Sequence, residues 1–181
     1  MNIFDAKFKE IFSTQVISIF GGLIAGILLA IYTDNLLLIP GMFLLIPGFL
    51  EMRGNISGSL AARLSSGLFL GFIKPNSLKT KTIKGNIIAS FFLALVVSLI
   101  LGIIVFMLNY TLFNIVMPEI ILIPLIAGVI ANAIEIPITL FFTFYLFKKG
   151  HDPNDIMGPF VTSTGDITSI VSLLIVVAVL I

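Results

Sequence analysis

Runs of about 20 or more mostly apolar residues recur along nearly the whole chain, and that pattern leaves little choice of fold. A helix needs roughly 20 such residues to cross the hydrocarbon core of a bilayer, where every backbone N–H and C=O must be satisfied within the segment. Five segments qualify, at about 12–32, 36–70, 85–113, 119–147 and 155–181. Hydrophobic residues are 59% of the chain's 181 and charged residues 10%, against roughly 45–50% and about 25% in a soluble domain. A soluble core this small could not hide so much apolar surface, so lipid must be the solvent for most of it. The expected fold is an all-α membrane protein of five transmembrane helices, one integral domain over residues 1–181. Residues 1–10 read as a short amphipathic surface segment. No soluble regulatory domain is expected.

The first apolar run is not a signal peptide by its flanks. Asp5 and Glu10 stand beside Lys7 and Lys9, and no small-residue cleavage site follows Ala30, so the segment reads as a retained span. The second run is long and polar for a plain span. Pro40, Pro47 and Gly48 fall in it, as do Glu51, Arg53, Asn55 and Arg63. Backbone broken at membrane depth is tolerated where protein or a watery cavity surrounds it. The second and fifth helices are therefore expected to be interrupted by Pro and Gly.

Basic residues set the orientation. Lys7 and Lys9 precede the first span, Lys74, Lys79, Lys81 and Lys84 lie between the second and third, and Lys148 and Lys149 between the fourth and fifth. The linkers near Thr33–Asn35 and Asn109–Pro118 have none. The positive-inside rule then predicts a multi-pass protein of the cell membrane with a cytoplasmic N-terminus and an external C-terminus. The formal charge of +1, with no dense basic run, argues against a nucleic-acid partner. With no cysteine, disulfides and thiolate metal sites are excluded.

Polar residues inside spans are costly and usually face a cavity or one another. On the fifth span Thr162, Asp166 and Ser169 share a helix face by their i, i+4, i+7 spacing. A lone carboxylate there takes up a proton, holds a cation or pairs with Arg53 or Arg63. On the second, Asn55, Ser59 and Ser66 lie near one face, with Gly54, Gly58, Ala61 and Ser65 offering a small-residue stripe. The Asn55 amide oxygen suits either a hard cation or an interhelical hydrogen bond. Glu51 and Arg53 read as local charge partners. On the fourth, Asn132, Glu135 and Thr139 form a polar stripe near Pro137, and Glu135 either adds negative potential to a pathway or balances an arginine. Pro47 before Gly54-Asn55-Ile56-Ser57 and Pro159 before Gly165-Asp166-Ile167-Thr168 form a short echo. Chance explains it, or an inverted repeat does. The candidate metal ligands are Asp166, Asn55 and Glu135, with Thr162, Ser169, Ser59 and Asn132 lining a pore. All are oxygen donors apart from the amide nitrogens, which favours a hard, hydrated ion over a soft metal. Composition leaves magnesium, calcium, manganese and sodium open.

Gly54-Asn55-x4-Leu60-Ala61-x-Arg63-Leu64-Ser65, after Pro47, resembles the signature of the MgtE-type magnesium transporters, especially their eukaryotic solute-carrier branch. Asp152-Pro153, Pro159, Thr162 and Asp166 resemble the motif leading into that family's last span. The resemblance implies a dimer of five-span units with the cation pathway between them, lined by Asp166 and by Asn55. It also implies that magnesium is the transported ion, with no cofactor. A homodimer follows most simply, or a heterodimer with a related half. Two departures stand out. The bacterial members place magnesium-sensing domains before the membrane part, whereas about ten residues precede the first span here, so closure by such domains is not expected. The bacterial Asn-Gln dipeptide is also missing, with Gly58-Ser59 near its place.

Transport down the membrane potential needs only a hydrated path and negative charge. Coupling to sodium or protons stays open, as does a non-transporting structural subunit. An intramembrane aspartyl enzyme is disfavoured, because Ser163-Thr164-Gly165-Asp166 lacks the glycine expected two residues before Gly-Asp.

Overall fold

The computed structural model describes residues 6–77 and 79–180. The regular structure among them is helical: α1 (Ala6–Ile31), α2 (Thr33–Leu37), α3 (Met42–Phe69), α4 (Lys81–Phe113), α5 (Glu119–Lys148) and α6 (Pro153–Leu180). Helices α1, α4, α5 and α6 are each long and apolar enough to cross a membrane. At 28 residues, α3 spans about 42 Å and matches them in length. Its interior holds Glu51, Arg53 and Arg63, which lower its apolarity. Residues 6–10, expected as a separate surface segment, are the first turns of α1; residues 1–5 of that segment lie outside the described residues.

Of the expected interruptions, the one at Pro40 falls at a break and those at Pro47 and Pro159 do not. Helix α3 runs unbroken through Pro47, and α6 through Pro159. Each proline lies within the first two turns of its helix, where it removes one backbone bond. Unravelling the rest would expose many more polar groups to lipid. The break in the second apolar segment instead falls at residues 38–41, between α2 and α3. Gly41 takes φ of 85° there, a left-handed conformation open to glycine at little cost. Asn109 of α4 locks the corner by donating its amide to the Pro40 carbonyl at 2.9 Å. A Cβ on Gly41 would collide with that same amide.

Helix α6 is the hub, packed against α1, α3 and α5, while α4 packs on α3 and α5. Small residues let α1 approach α6. Ser18 Oγ donates to the Pro159 carbonyl at 2.9 Å, and a Cβ on Gly21 would lie 2.6 Å from that of Ser163. The rest of α1 is largely unburied, with Ile17, Phe20, Ile24 and Ile27 exposed, as suits a lipid-facing helix. Three apolar clusters hold the bundle, the smallest being Ala61, Met157 and Val161. One includes Leu45, Phe49, Ile120, Ile123 and Leu173. Another, toward the lysine-bearing end, includes Leu60, Leu64, Ile83, Ile136 and Phe144. Lys7–Asp155 at 3.0 Å and His151–Glu10 tie the start of α1 to the α5–α6 turn at that end.

Helices α4 and α5 meet most closely at Gly102, where a Cβ would lie 2.8 Å from both Cα and the carbonyl oxygen of Ile121. Backbone cannot rotate away as a side chain can. Gly102→Ala should therefore push the helices apart and cost about 1–3 kcal/mol, read as a lowered melting temperature in detergent. Gly26→Ala, with nothing within 4 Å of the new methyl, should leave it unchanged.

Candidate cation pathway

Two rows of residues at four-residue spacing face each other where α3 meets α6. On α3 the row is Pro47, Glu51, Asn55 and Ser59, flanked by Gly54 and Gly58; on α6 it is Gly158, Thr162 and Asp166. Four-residue steps keep side chains on one helix face, so each row is continuous. Between them lies a groove of about 570 Å³. Its lining contains two carboxylates, Glu51 and Asp166, and no basic residue. Asn55 donates its amide to Glu51 Oε1 at 3.0 Å, which leaves its own carbonyl oxygen free to face the groove. Thr162 Oγ1 donates to the Gly158 carbonyl at 3.0 Å.

Asp166 is half-buried and makes no hydrogen bond or ion pair among the described residues. The charge of Glu51 acts on it unfavourably. Two like charges held in one groove are relieved by a proton on one of them or by a cation beside them. The arginines that could have neutralised Asp166 are engaged elsewhere. Arg63 Nη2 donates to Ser90 Oγ at 3.0 Å on the α3–α4 side. Arg53 is fully buried and donates through Nη1 to Asn132 Oδ1.

Behind the groove is a second, enclosed polar layer. Asn132, Glu135 and Thr139 of α5 are fully buried, as are Ser57 and Ser169. Asn132 also donates its amide to the Gly128 carbonyl at 2.7 Å. Glu135 accepts from Thr164 Oγ1 at 2.8 Å and from Thr168 Oγ1 at 3.3 Å. Its charge also reaches Arg53 favourably. Thr164 and Thr168 lie one turn apart on one face of α6. Asp166 is two residues from each, about 200° around the helix. One buried carboxylate thus grips the back of α6 while the other carboxylate occupies its front. Arg53 Nε and Nη2 and the hydroxyls of Ser57, Thr139 and Ser169 have no hydrogen-bond partner among the described residues; buried polar atoms of this kind are commonly bridged by water.

The structure therefore divides the sequence candidates. Asp166, Asn55, Thr162 and Ser59 come together on the groove. Glu135, Asn132 and Ser169 are buried inside the chain, and Ser66 lines a separate pocket beside α4. Glu51 and Arg53 are not partners, since positions two apart diverge on a helix. Sequence reasoning passed over Glu51 as a groove residue. The signal was present, because one four-residue step back from Asn55 lands on it. Among the described residues no group of three or more His, Cys, Asp or Glu could hold a metal ion. Two carboxylates with amide and hydroxyl oxygens instead suit an ion that keeps part of its water shell.

The described residues thus form a helical bundle, four of whose helices could cross a membrane, with an acidic, base-free groove between α3 and α6. Residues 46–176 match the family model of MgtE, the divalent cation transporters. That span takes in both motifs and most of the bundle, and the chain belongs to this family. It is a family of transporters and not of enzymes, in keeping with the non-enzymatic reading. No curated protein and no solved structure matches the chain.

Glu135 ties α5 to α6 and stands near Arg53, so truncating it leaves a buried cation and two hydroxyls uncompensated. Glu135→Ala should cost about 3–5 kcal/mol and Glu135→Gln distinctly less, measured by thermal unfolding of the purified protein. Equal melting of Glu135→Ala and the parent would show that the clamp does not hold the helices.

Proposed function

We propose that this chain moves divalent cations across the cell membrane, magnesium first, as one half of a dimeric pore lined by Asp166. The observation that carries the reading is the Asp166 carboxylate, set in a groove with Glu51 and without any basic residue. A carboxylate at membrane depth is too costly to leave uncompensated, and no side chain among the described residues neutralises it.

The dimer is supported by the same groove. Glu51, Asn55, Ser59 and Thr162 are exposed on the isolated chain, which lipid would not tolerate. A second copy facing this surface would enclose it and double the acidic groups. Gly58 and Gly158 on its rim have nothing within 4 Å of where a Cβ would stand, leaving room for another helix. On this reading α3 is the fifth span, its polar face covered by the partner. The lysine-bearing end is then cytoplasmic by the positive-inside rule. Magnesium is preferred because it dehydrates reluctantly and needs few direct protein ligands. Asp166 and Glu51 would then hold the ion largely through its waters, with Asn55, Ser59 and Thr162 as further oxygen contacts.

Purified protein in liposomes should admit magnesium under an inside-negative potential. Asp166→Asn should cut that flux roughly tenfold or more, a barrier change of about 1.4 kcal/mol for each factor of ten, with assembly intact. Glu51→Gln should lower it by a smaller factor. Undiminished uptake by Asp166→Asn would remove the residue from the pathway. Because the chain has no native cysteine, single cysteines on the groove rim at Gly58 or Gly158 should form disulfide-linked dimers on mild oxidation. Cysteines at Ile17 or Phe20 of α1 should not, and the reverse pattern would relocate the interface.

A further inference from the structure

We propose that the pocket between the end of α3 and the start of α4 binds the phosphate of an anionic glycerophospholipid, with Arg63 as its principal contact. The site lies apart from the α3–α6 groove and stands whether or not that groove conducts.

The pocket is built by the turn that follows α3. Gly71 takes φ of 75°, and Ile73 folds back so that its N–H donates to the Gly67 carbonyl at 2.9 Å. Ile73 is then buried, and a Cβ on Gly67 would come within 2.7 Å of its Cδ1. This fixed floor leaves a pocket of about 450 Å³ whose polar lining is Arg63, Ser66, Thr82 and Asn86. Its lip is apolar and open, with Leu70 68% and Phe72 75% exposed. A few polar groups set in a largely apolar pocket with an exposed apolar lip match a molecule with a charged head and greasy chains better than a free inorganic ion.

Arg63 gives the site its sign. Its guanidinium carries five N–H donors, and one bond is made, to Ser90. No carboxylate lies within ion-pair distance of it among the described residues. Arg63 stands six residues before the end of α3, about 9 Å in along the axis. That depth lets its long side chain reach toward the headgroup layer, where phosphate is the available anion. Planar guanidinium suits phosphate through paired hydrogen bonds.

The surroundings reinforce the charge. Between Glu51 and Glu119 the sequence has no acidic residue, and beyond the buried Arg53 it holds Arg63, Lys74, Lys79, Lys81 and Lys84. The Phe69–Phe147 ring contact at 5.1 Å brings the end of α5, with Lys148 and Lys149, to the same end of the bundle. Of the acids nearby, Asp155 pairs with Lys7 and Glu10 with His151, while Asp152, just before α6, accepts from the Asn154 N–H. Anionic headgroups therefore meet uncompensated positive charge here.

The test is native mass spectrometry of the full chain released from phosphatidylcholine bilayers containing a minor fraction of phosphatidylglycerol. The parent should retain phosphatidylglycerol in preference to phosphatidylcholine. Arg63→Gln should reduce that retention roughly tenfold, more than the factor of about five expected for one generic surface charge. Arg63→Lys should keep part of it, and Thr82→Val should lower it severalfold. If Arg63→Gln does not fold, Thr82→Val and Arg63→Lys decide the matter. Lys148→Gln, outside the pocket, should cost no more than that generic factor; a loss equal to that of Arg63→Gln would reduce the binding to diffuse surface charge and overturn the site. Displacement of the lipid by millimolar inorganic phosphate would overturn the lipid assignment. Retention of both lipids in equal amount, or a dimer contact covering Arg63, would do the same.

Discussion

The buried polar layer joining α3, α5 and α6 is the constraint on which the rest of the structure depends. In lipid, apolar contact between helices gives little net driving force, because the surrounding tails are as apolar as leucine. Arg53 bonded to Asn132, and Glu135 bonded to Thr164 and Thr168, therefore fix which helices meet and at which rotation. A rotation of α6 would strip Glu135 of both hydroxyls at membrane depth. It would also bury Asp166 or turn it to lipid. The same bonds that hold the bundle thus aim the carboxylate that faces the groove.

Charge is sorted across α3 by that arrangement. Arg53 faces inward to α5, Glu51 faces the groove, and Arg63, further along, faces α4. One helix thereby serves a compensated interior, an acidic groove and a basic pocket on different sides. This sorting explains why its apolar content is lower than that of its neighbours although its length of 28 residues falls within their range. It also separates the chain's two kinds of uncompensated charge. The acidic face suits a passing cation, and the basic end suits the anionic edge of the bilayer.

Glycine enters where backbones must approach or turn. Gly102 lets α4 lie against the backbone of α5, Gly21 lets α1 reach α6, and Gly41 turns the corner before α3. Gly58 and Gly158 differ from these, having open space beside them. Close approach there requires something outside the single chain.

The sequence by itself determined the helical class and the approximate limits of the apolar segments, because lipid enforces length and backbone satisfaction locally. It also placed Asn55 with Ser59, and Thr162 with Asp166, since four-residue spacing puts each pair on one face whatever lies opposite. It offered Pro40, Pro47 and Gly48 as interruptions; the chain breaks beside Pro40, at Gly41, where a left-handed residue and the Asn109 amide meet, and stays helical through Pro47 and Gly48. Only the tertiary structure decided which way each polar face turns. The stripe of Asn132, Glu135 and Thr139 was plain from spacing, but its inward direction depends on Arg53 and on two threonines more than 25 residues away in the chain. Ser169 shares a nominal face with Asp166 yet rolls into the bundle, and Glu51 and Arg53 part company across α3. A helix's periodicity defines a face; the neighbour that face meets is a property of the assembled bundle, set by long-range hydrogen bonds that no local window contains.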